Sequence, residues 1–186
     1  MSTEIVIALA LITPLIGAIG IFLSANTPNL RETITLLSAA VLFTFVCFLL
    51  HQTSNGQNAS FRLLEVIPNL MIAFDIEPLG MLFAAIASGL WIINSLYSIG
   101  YMRGNQEENQ TRFYICFAIA ISSSMGIAFA GNMFTLFIFY EIGIFYMFQA
   151  NVPFSKNGAD VLIERFINML GSVSYTHLTL PTKRIV

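Results

Sequence analysis

The 186 residues carry 8 basic and 10 acidic side chains, so 10% are charged, while 56% are apolar. A typical globular protein is roughly 25% charged, and this chain has too few charges to cover the surface of a soluble domain its size. Net charge is −2 with no basic block, which leaves nothing to release counterions from nucleic-acid phosphates. An unaided soluble enzyme, a disordered chain and a nucleic-acid binder are excluded. Cys47 and Cys116 stand far apart in apolar surroundings with no CxxC or Cys/His neighbour, so neither a disulfide framework nor a metal site is indicated.

The charges are clustered, and the gaps between them set the organisation. No Asp, Glu, Lys or Arg lies in the 26 residues between Glu4 and Arg31, the 29 between Glu32 and Arg62, or the 25 between Glu77 and Arg103. The 43 residues between Arg112 and Lys156 hold one charge, Glu141. A helix crossing a bilayer needs about 20 apolar residues. Each of the first three gaps fits one span. The fourth fits two spans joined at the Gly131-Asn132 turn signal.

In chain order, the reading is helices at 5–24, 33–50, 79–101, 113–130 and 133–149. Long apolar runs without period-2 alternation favour helices over barrel strands. Helix one lacks a basic segment before it and a small-residue cleavage site, so it is read as a retained span. Pro14 within it is tolerable in a membrane helix. Gly17, Gly20, Gly89, Ser122-Ser123-Ser124 and Gly126 are small residues that let helix backbones approach. Residues 161–173 read as the start of a truncated sixth helix. The chain then turns polar through Tyr175, His177 and Pro181, and residues 174–186 resemble translated adapter read-through, a non-native tail. The fold expected is an all-α polytopic transmembrane bundle of about five complete spans, and the chain is expected to be an N-terminal fragment. Its divisions are residues 1–73, 74–173 and 174–186.

Alternating spans place Arg31, Arg103, Arg112 and Lys156 on one side and Arg62 on the other. The positive-inside rule counts Lys and Arg, and four against one puts the N-terminus outside.

Glu141 is the sharpest candidate for function. It sits about nine residues into the fifth span, with Phe137, Ile138, Ile144 and Phe145 at helical spacing and Tyr140 adjacent. A charge at a helix centre costs on the order of 3 kcal/mol, and burial among apolar groups favours the protonated form of a carboxyl. A carboxyl able to take and release a proton inside a membrane is what a proton relay requires. The competing reading is a neutral Glu that locks helix packing, with Ser122, Ser123 or Ser124 as partner. No Lys or Arg lies in another span, so a cationic partner has to come from elsewhere. The remaining polar residues read more simply. His51 is interfacial and Trp91 is packing. Glu77 is a charge favoured by the dipole at the start of helix three. Arg103, Glu107, Glu108 and Arg112 form a solvated turn. His177 carries no role.

Residues 74–141 carry a resemblance. Phe74-Asp75-Ile76-Glu77-Pro78-Leu79-Gly80-Met81-Leu82-Phe83 opens one span and Ser95-Leu96-Tyr97-Ser98-Ile99-Gly100-Tyr101-Met102 closes it. Arg112-Phe113-Tyr114 starts the next, and Asn132-Met133-Phe134-Thr135-Leu136-Phe137 leads to Tyr140-Glu141. This order resembles the antiporter-like subunits of the respiratory complex I membrane arm and looks closest to the D-type member of the Mrp-type cation/proton antiporters. The resemblance implies about fourteen helices with two inverted five-helix repeats, the first opened here by helices four and five. It implies that Glu141 is the fifth-helix glutamate that pairs with a lysine two helices later. It also implies a bacterial inner membrane, other membrane subunits as partners, and protons and Na+ as the ions handled. No cofactor is implied, because there is no haem, flavin or iron–sulfur ligand set. Any enzymatic role would be as part of a NADH-quinone oxidoreductase complex, with the redox centres in other subunits. Two alternatives stand beside this reading: a non-conducting structural membrane subunit, and a membrane subunit of a hydrogenase or formate-oxidising complex.

Overall fold

Five helices and one hairpin make up the computed structural model, which describes residues 3–54, 60–67, 70–105 and 109–151. The elements are α1 (Thr3–Leu23), α2 (Pro28–Ser54), β1 (Ser60–Ile67), β2 (Leu70–Asp75), α3 (Pro78–Gly104), α4 (Gln110–Ala128) and α5 (Met133–Asn151). They lie in one compact unit, Met1–Ala150, except that Asn151, the last residue of α5, is the single described residue of the second unit. The expected sixth-helix segment 161–173, the tail 174–186, His177, Glu107 and Glu108 fall outside the described residues.

Local chemistry fixes the element ends. Pro28 and Pro78 each occupy the first turn of a helix, where a missing N–H is not needed and the fixed φ suits the helix. At the close of α1 the Ser24 hydroxyl donates to the Gly20 carbonyl at 2.8 Å. Asn109 precedes α4 with φ 60°, a left-handed conformation that Asn tolerates better than most residues. Asn132 opens α5 as an N-cap, its side-chain oxygen accepting the Thr135 N–H at 2.7 Å.

α1 packs on α2 and α4, α2 packs on α3, and α3 packs on α4, so the first four helices close into a ring around one core. Ile7, Ile21, Leu42, Val46, Met81, Trp91 and Met125 fill it. Small residues set the close approaches. A Cβ on Gly17 would stand 2.8 Å from the Ser38 hydroxyl oxygen, and one on Gly80 would run into the Ala128 carbonyl. The Ser122 hydroxyl ties α4 to α1 by donating to the Leu11 carbonyl at 2.7 Å. α5 runs antiparallel to α4, because position 139 meets 126 while position 143 meets 123.

Four helices, α1 to α4, are long and apolar enough to cross a membrane, and Met133–Met147 of α5 adds a shorter apolar stretch. The outward faces are apolar too, through Ile16, Ile19, Leu37, Leu82, Leu90 and Ile93. Such surfaces suit lipid or another membrane helix and not water. The chain is an all-α, multi-pass membrane bundle, as its charge spacing indicates.

The structure differs from the sequence reading at several helix ends and in one connection. α3 runs to Gly104 and α4 begins at Gln110, which takes Arg103 and Arg112, read as part of a solvated turn, into helices. α2 begins at Pro28 and not at 33, so Arg31 and Glu32 lie inside the helix. Charge-free runs mark where lipid-facing helix must be, and helix continues past them when the charges find partners within the bundle. The connection between helices two and three, where the sequence reading names no element, contains an antiparallel strand pair in which Ser60 pairs with Asp75 and Ile67 with Leu70. The free edge of β2 is met by protein, as described below.

Candidate functional site: a buried carboxyl on the fifth helix

Glu141 is buried at 6% relative exposure. Both carboxyl oxygens are buried and have no hydrogen-bond partner among the described residues. On α5 it lies between two contacts with α4. Before it, Phe139 lies against Gly126, where any Cβ would run into the ring. After it, a Cβ on Gly143 would lie 3.3 Å from the Ser123 Cβ. Phe139 and Gly143, one turn apart, share the face of α5 that meets α4, and Glu141, two residues from each, lies on a different face of the helix.

The serine partner expected for a packing lock is not found. Ser122 donates to the Leu11 carbonyl at 2.7 Å, Ser123 to Ile119 at 3.0 Å and Ser124 to Ala120 at 3.0 Å. Each hydroxyl has one proton, and in each case a backbone carbonyl one turn back or on α1 takes it.

A second polar assembly lies where α2 begins, α3 ends and α4 begins. Arg31 and Glu32 are 5% and 6% exposed. The Arg31 guanidinium donates to the Thr111 hydroxyl at 2.9 Å and to the Gln110 side-chain oxygen at 2.6 Å, and it lies 5.3 Å from the Tyr114 ring centroid. Arg103 grips Glu32 with two parallel hydrogen bonds, Nε to Oε1 at 2.9 Å and a terminal nitrogen to Oε2 at 2.5 Å, and also donates to Asn29. Arg103 is thus no mere solvated turn residue. Sequence reasoning missed this clasp because the partners are 71 to 80 positions apart. The available signal was Arg31-Glu32 three residues after a helix-starting proline.

The other candidates fall as follows. Trp91 is fully buried in the core. Glu77 sits exposed at the N-cap of α3 without a side-chain capping bond. Arg112 and His51 both make interactions within the protein. A cleft of about 550 Å³ opens beside the start of α3, lined by Asp75, Glu77, Gly80, Phe83, Ile127 and Leu136, and Glu141 does not line it. Among the described residues no three His, Cys, Asp or Glu side chains gather as metal ligands would.

Comparison with known proteins agrees with this architecture. No family model matches the chain. It is similar to the Na(+)/H(+) antiporter subunit A1 of Staphylococcus aureus, with 26% identity over 154 residues in strain bovine RF122 / ET3-1 and 25% in strains JH9 and Newman. Each alignment covers 77% of this chain, which spans about a fifth (19%) of the length of these relatives. The chain thus resembles an antiporter-like membrane subunit. The relatives carry the name of subunit A1, a different subunit from the D-type member that the sequence motifs suggest.

Proposed function

We propose that this chain belongs to the membrane-embedded, proton-translocating subunit of a multisubunit cation/proton antiporter, and that Glu141 is its proton-relay carboxyl. The observation that carries the proposal is a carboxyl buried to 6% exposure in an apolar helix with both oxygens unpartnered among the described residues. A carboxyl that only locks packing needs a hydrogen-bond partner to offset its burial, and the neighbouring serines are engaged elsewhere. A lysine supplied by a later helix or another subunit would hold the carboxylate as it approaches and release it as it withdraws, moving a proton each time. The resemblance supports protons and Na+ as the ions, other membrane subunits and lipid as partners, and a bacterial inner membrane with the N-terminus outside. Assignment to the D-type member, to subunit A1 or to the respiratory membrane arm turns on the same resemblance.

The test is transport in inverted vesicles containing the intact protein in its complex, alongside subunit abundance on a native gel. Glu141→Gln keeps shape and hydrogen-bonding capacity but cannot ionise. It is expected to abolish most transport with assembly intact, while Glu141→Asp keeps part of it. Normal transport by Glu141→Gln removes the relay role, and lost assembly supports a packing role.

A further inference from the structure

The second strand of the hairpin is joined to the corner between α4 and α5 by four hydrogen bonds along its free edge. In an antiparallel strand, alternate residues turn their backbone groups away from the partner strand. Here those residues are 71, 73 and 75. The Asp75 N–H donates to the Phe129 carbonyl at 2.8 Å, and the Gly131 N–H donates to the Ala73 carbonyl at 2.9 Å. Phe74 and Ala130 form the resulting antiparallel bridge. The Ala73 N–H donates to the Thr135 hydroxyl at 3.1 Å, and the Asn132 amide donates to the Met71 carbonyl at 2.6 Å. Asn132 thus uses its oxygen to cap α5 and its nitrogen to hold the strand.

The same strand reaches further down α5 through side chains. Phe74, almost fully buried, meets Phe139 edge-on with ring centroids 5.7 Å apart. Thr135, itself fully buried, and Phe139 are four residues apart, so they share one face of α5. Glu141 follows Phe139 by two residues on the same helix. A helix held at two points one turn apart is fixed in both axial register and rotation, and every residue near them is fixed with it.

We propose that β2 is a clamp that positions Glu141, with Thr135 and Asn132 as positioning residues and Phe74–Phe139 as the second anchor. The clamp sets how deeply the carboxyl is withdrawn from water. Its importance for transport rests on the relay reading of Glu141, but its geometry does not, and the test reads geometry alone.

The intact protein in membrane vesicles is treated with a water-soluble carbodiimide and glycine ethyl ester, and the modified fraction of the Glu141 peptide is followed by mass spectrometry. Thr135→Val preserves shape but leaves the Ala73 N–H without an acceptor. Thr135→Ser keeps the hydroxyl. Asn132→Asp keeps the capping oxygen but removes the donor to Met71 and sets a charged oxygen against that carbonyl. Loss of one buried hydrogen bond shifts a local equilibrium by about fivefold. Thr135→Val and Asn132→Asp are therefore expected to label about fivefold faster than the parent, and Thr135→Ser at the parental rate. Parental labelling in both Thr135→Val and Asn132→Asp overturns the clamp, as does a Thr135→Ser rate equal to that of Thr135→Val. If Thr135→Val does not accumulate in the membrane, Asn132→Asp decides alone. Normal transport by Glu141→Gln would remove the relay reading and leave the labelling result standing.

Discussion

Arg31 and Glu32 are neighbours of opposite charge, both buried, yet each takes its main partner from elsewhere. Their own separation is 4.0 Å, whereas Arg103 grips Glu32 at both oxygens and Arg31 bonds to Thr111 and Gln110. Bidentate guanidinium–carboxylate pairs are the stronger kind. Arg103 is half exposed and can rehydrate when its partner is lost, while Glu32 cannot. Arg103→Ala, which takes both hydrogen bonds from a buried carboxylate, is therefore expected to lower the unfolding midpoint more than Glu32→Ala does. The double substitution should cost clearly less than the sum of the two. Thermal unfolding of the purified protein in detergent checks this, and strict additivity would show that the pair is not coupled. Glu141 is the opposite case: a buried carboxyl whose oxygens have no partner among the described residues. The sequence places both carboxylates, but their difference lies in partners that only folding brings near.

At the scale of elements, glycines decide how closely the helices meet. A Cβ at Gly80 would collide with the Ala128 carbonyl of α4, which is backbone and cannot step aside. A Cβ at Gly126 would collide with the Phe139 ring, which can rotate at some cost. One at Gly89 would stand 3.6 Å from the Phe43 ring, an ordinary contact. The expected order of harm is Gly80→Ala, then Gly126→Ala, then Gly89→Ala. Overpacking costs about 1–3 kcal/mol, with Gly80→Ala at the upper end. Gly89→Ala should be neutral or stabilising by up to about 1 kcal/mol, since alanine is the better helix former. Unfolding midpoints of the three variants measure this, and a Gly80→Ala variant as stable as the parent would contradict the α3–α4 contact. All three glycines stand inside apolar runs, and the sequence marks Gly89 and Gly126 as contact points. It does not say which of them meets backbone, because that depends on crossing geometry.

At the scale of the whole molecule, the connections sort to two ends. The hairpin and the α4–α5 corner share one end, since β2 bonds directly to residues 129–132. The α1–α2 and α3–α4 connections share the other, where Arg31, Glu32, Arg103, Gln110 and Thr111 interlock. With the basic end inside, Asn58→Cys should react with an impermeant thiol reagent from outside and Gln106→Cys should not. Both are made in a background lacking Cys47, which is exposed. Labelling of intact cells or right-side-out vesicles decides the orientation, and the reverse pattern would invert it.

Charge spacing by itself determined the membrane class, the helices and the singular position of Glu141. A bilayer imposes one period, about 20 apolar residues, and a lone acid within it costs enough to be conspicuous. The Gly131-Asn132 turn was equally legible, because those residue types favour it locally. Tertiary structure alone decided the rest. Pro28 marks the start of α2 locally, but Arg31 and Glu32 are buried within the bundle because side chains some 70 to 80 residues away satisfy them. Strands 60–67 and 70–75 pair, and the free edge of the second is met by the α4–α5 corner, through contacts 54 to 62 positions apart in sequence. Hydropathy reports what each residue demands of its solvent. It carries no record of which distant group will meet a buried hydrogen-bonding atom, and in this protein those pairings satisfy the buried charges of α2 and tie the start of the fifth helix to β2.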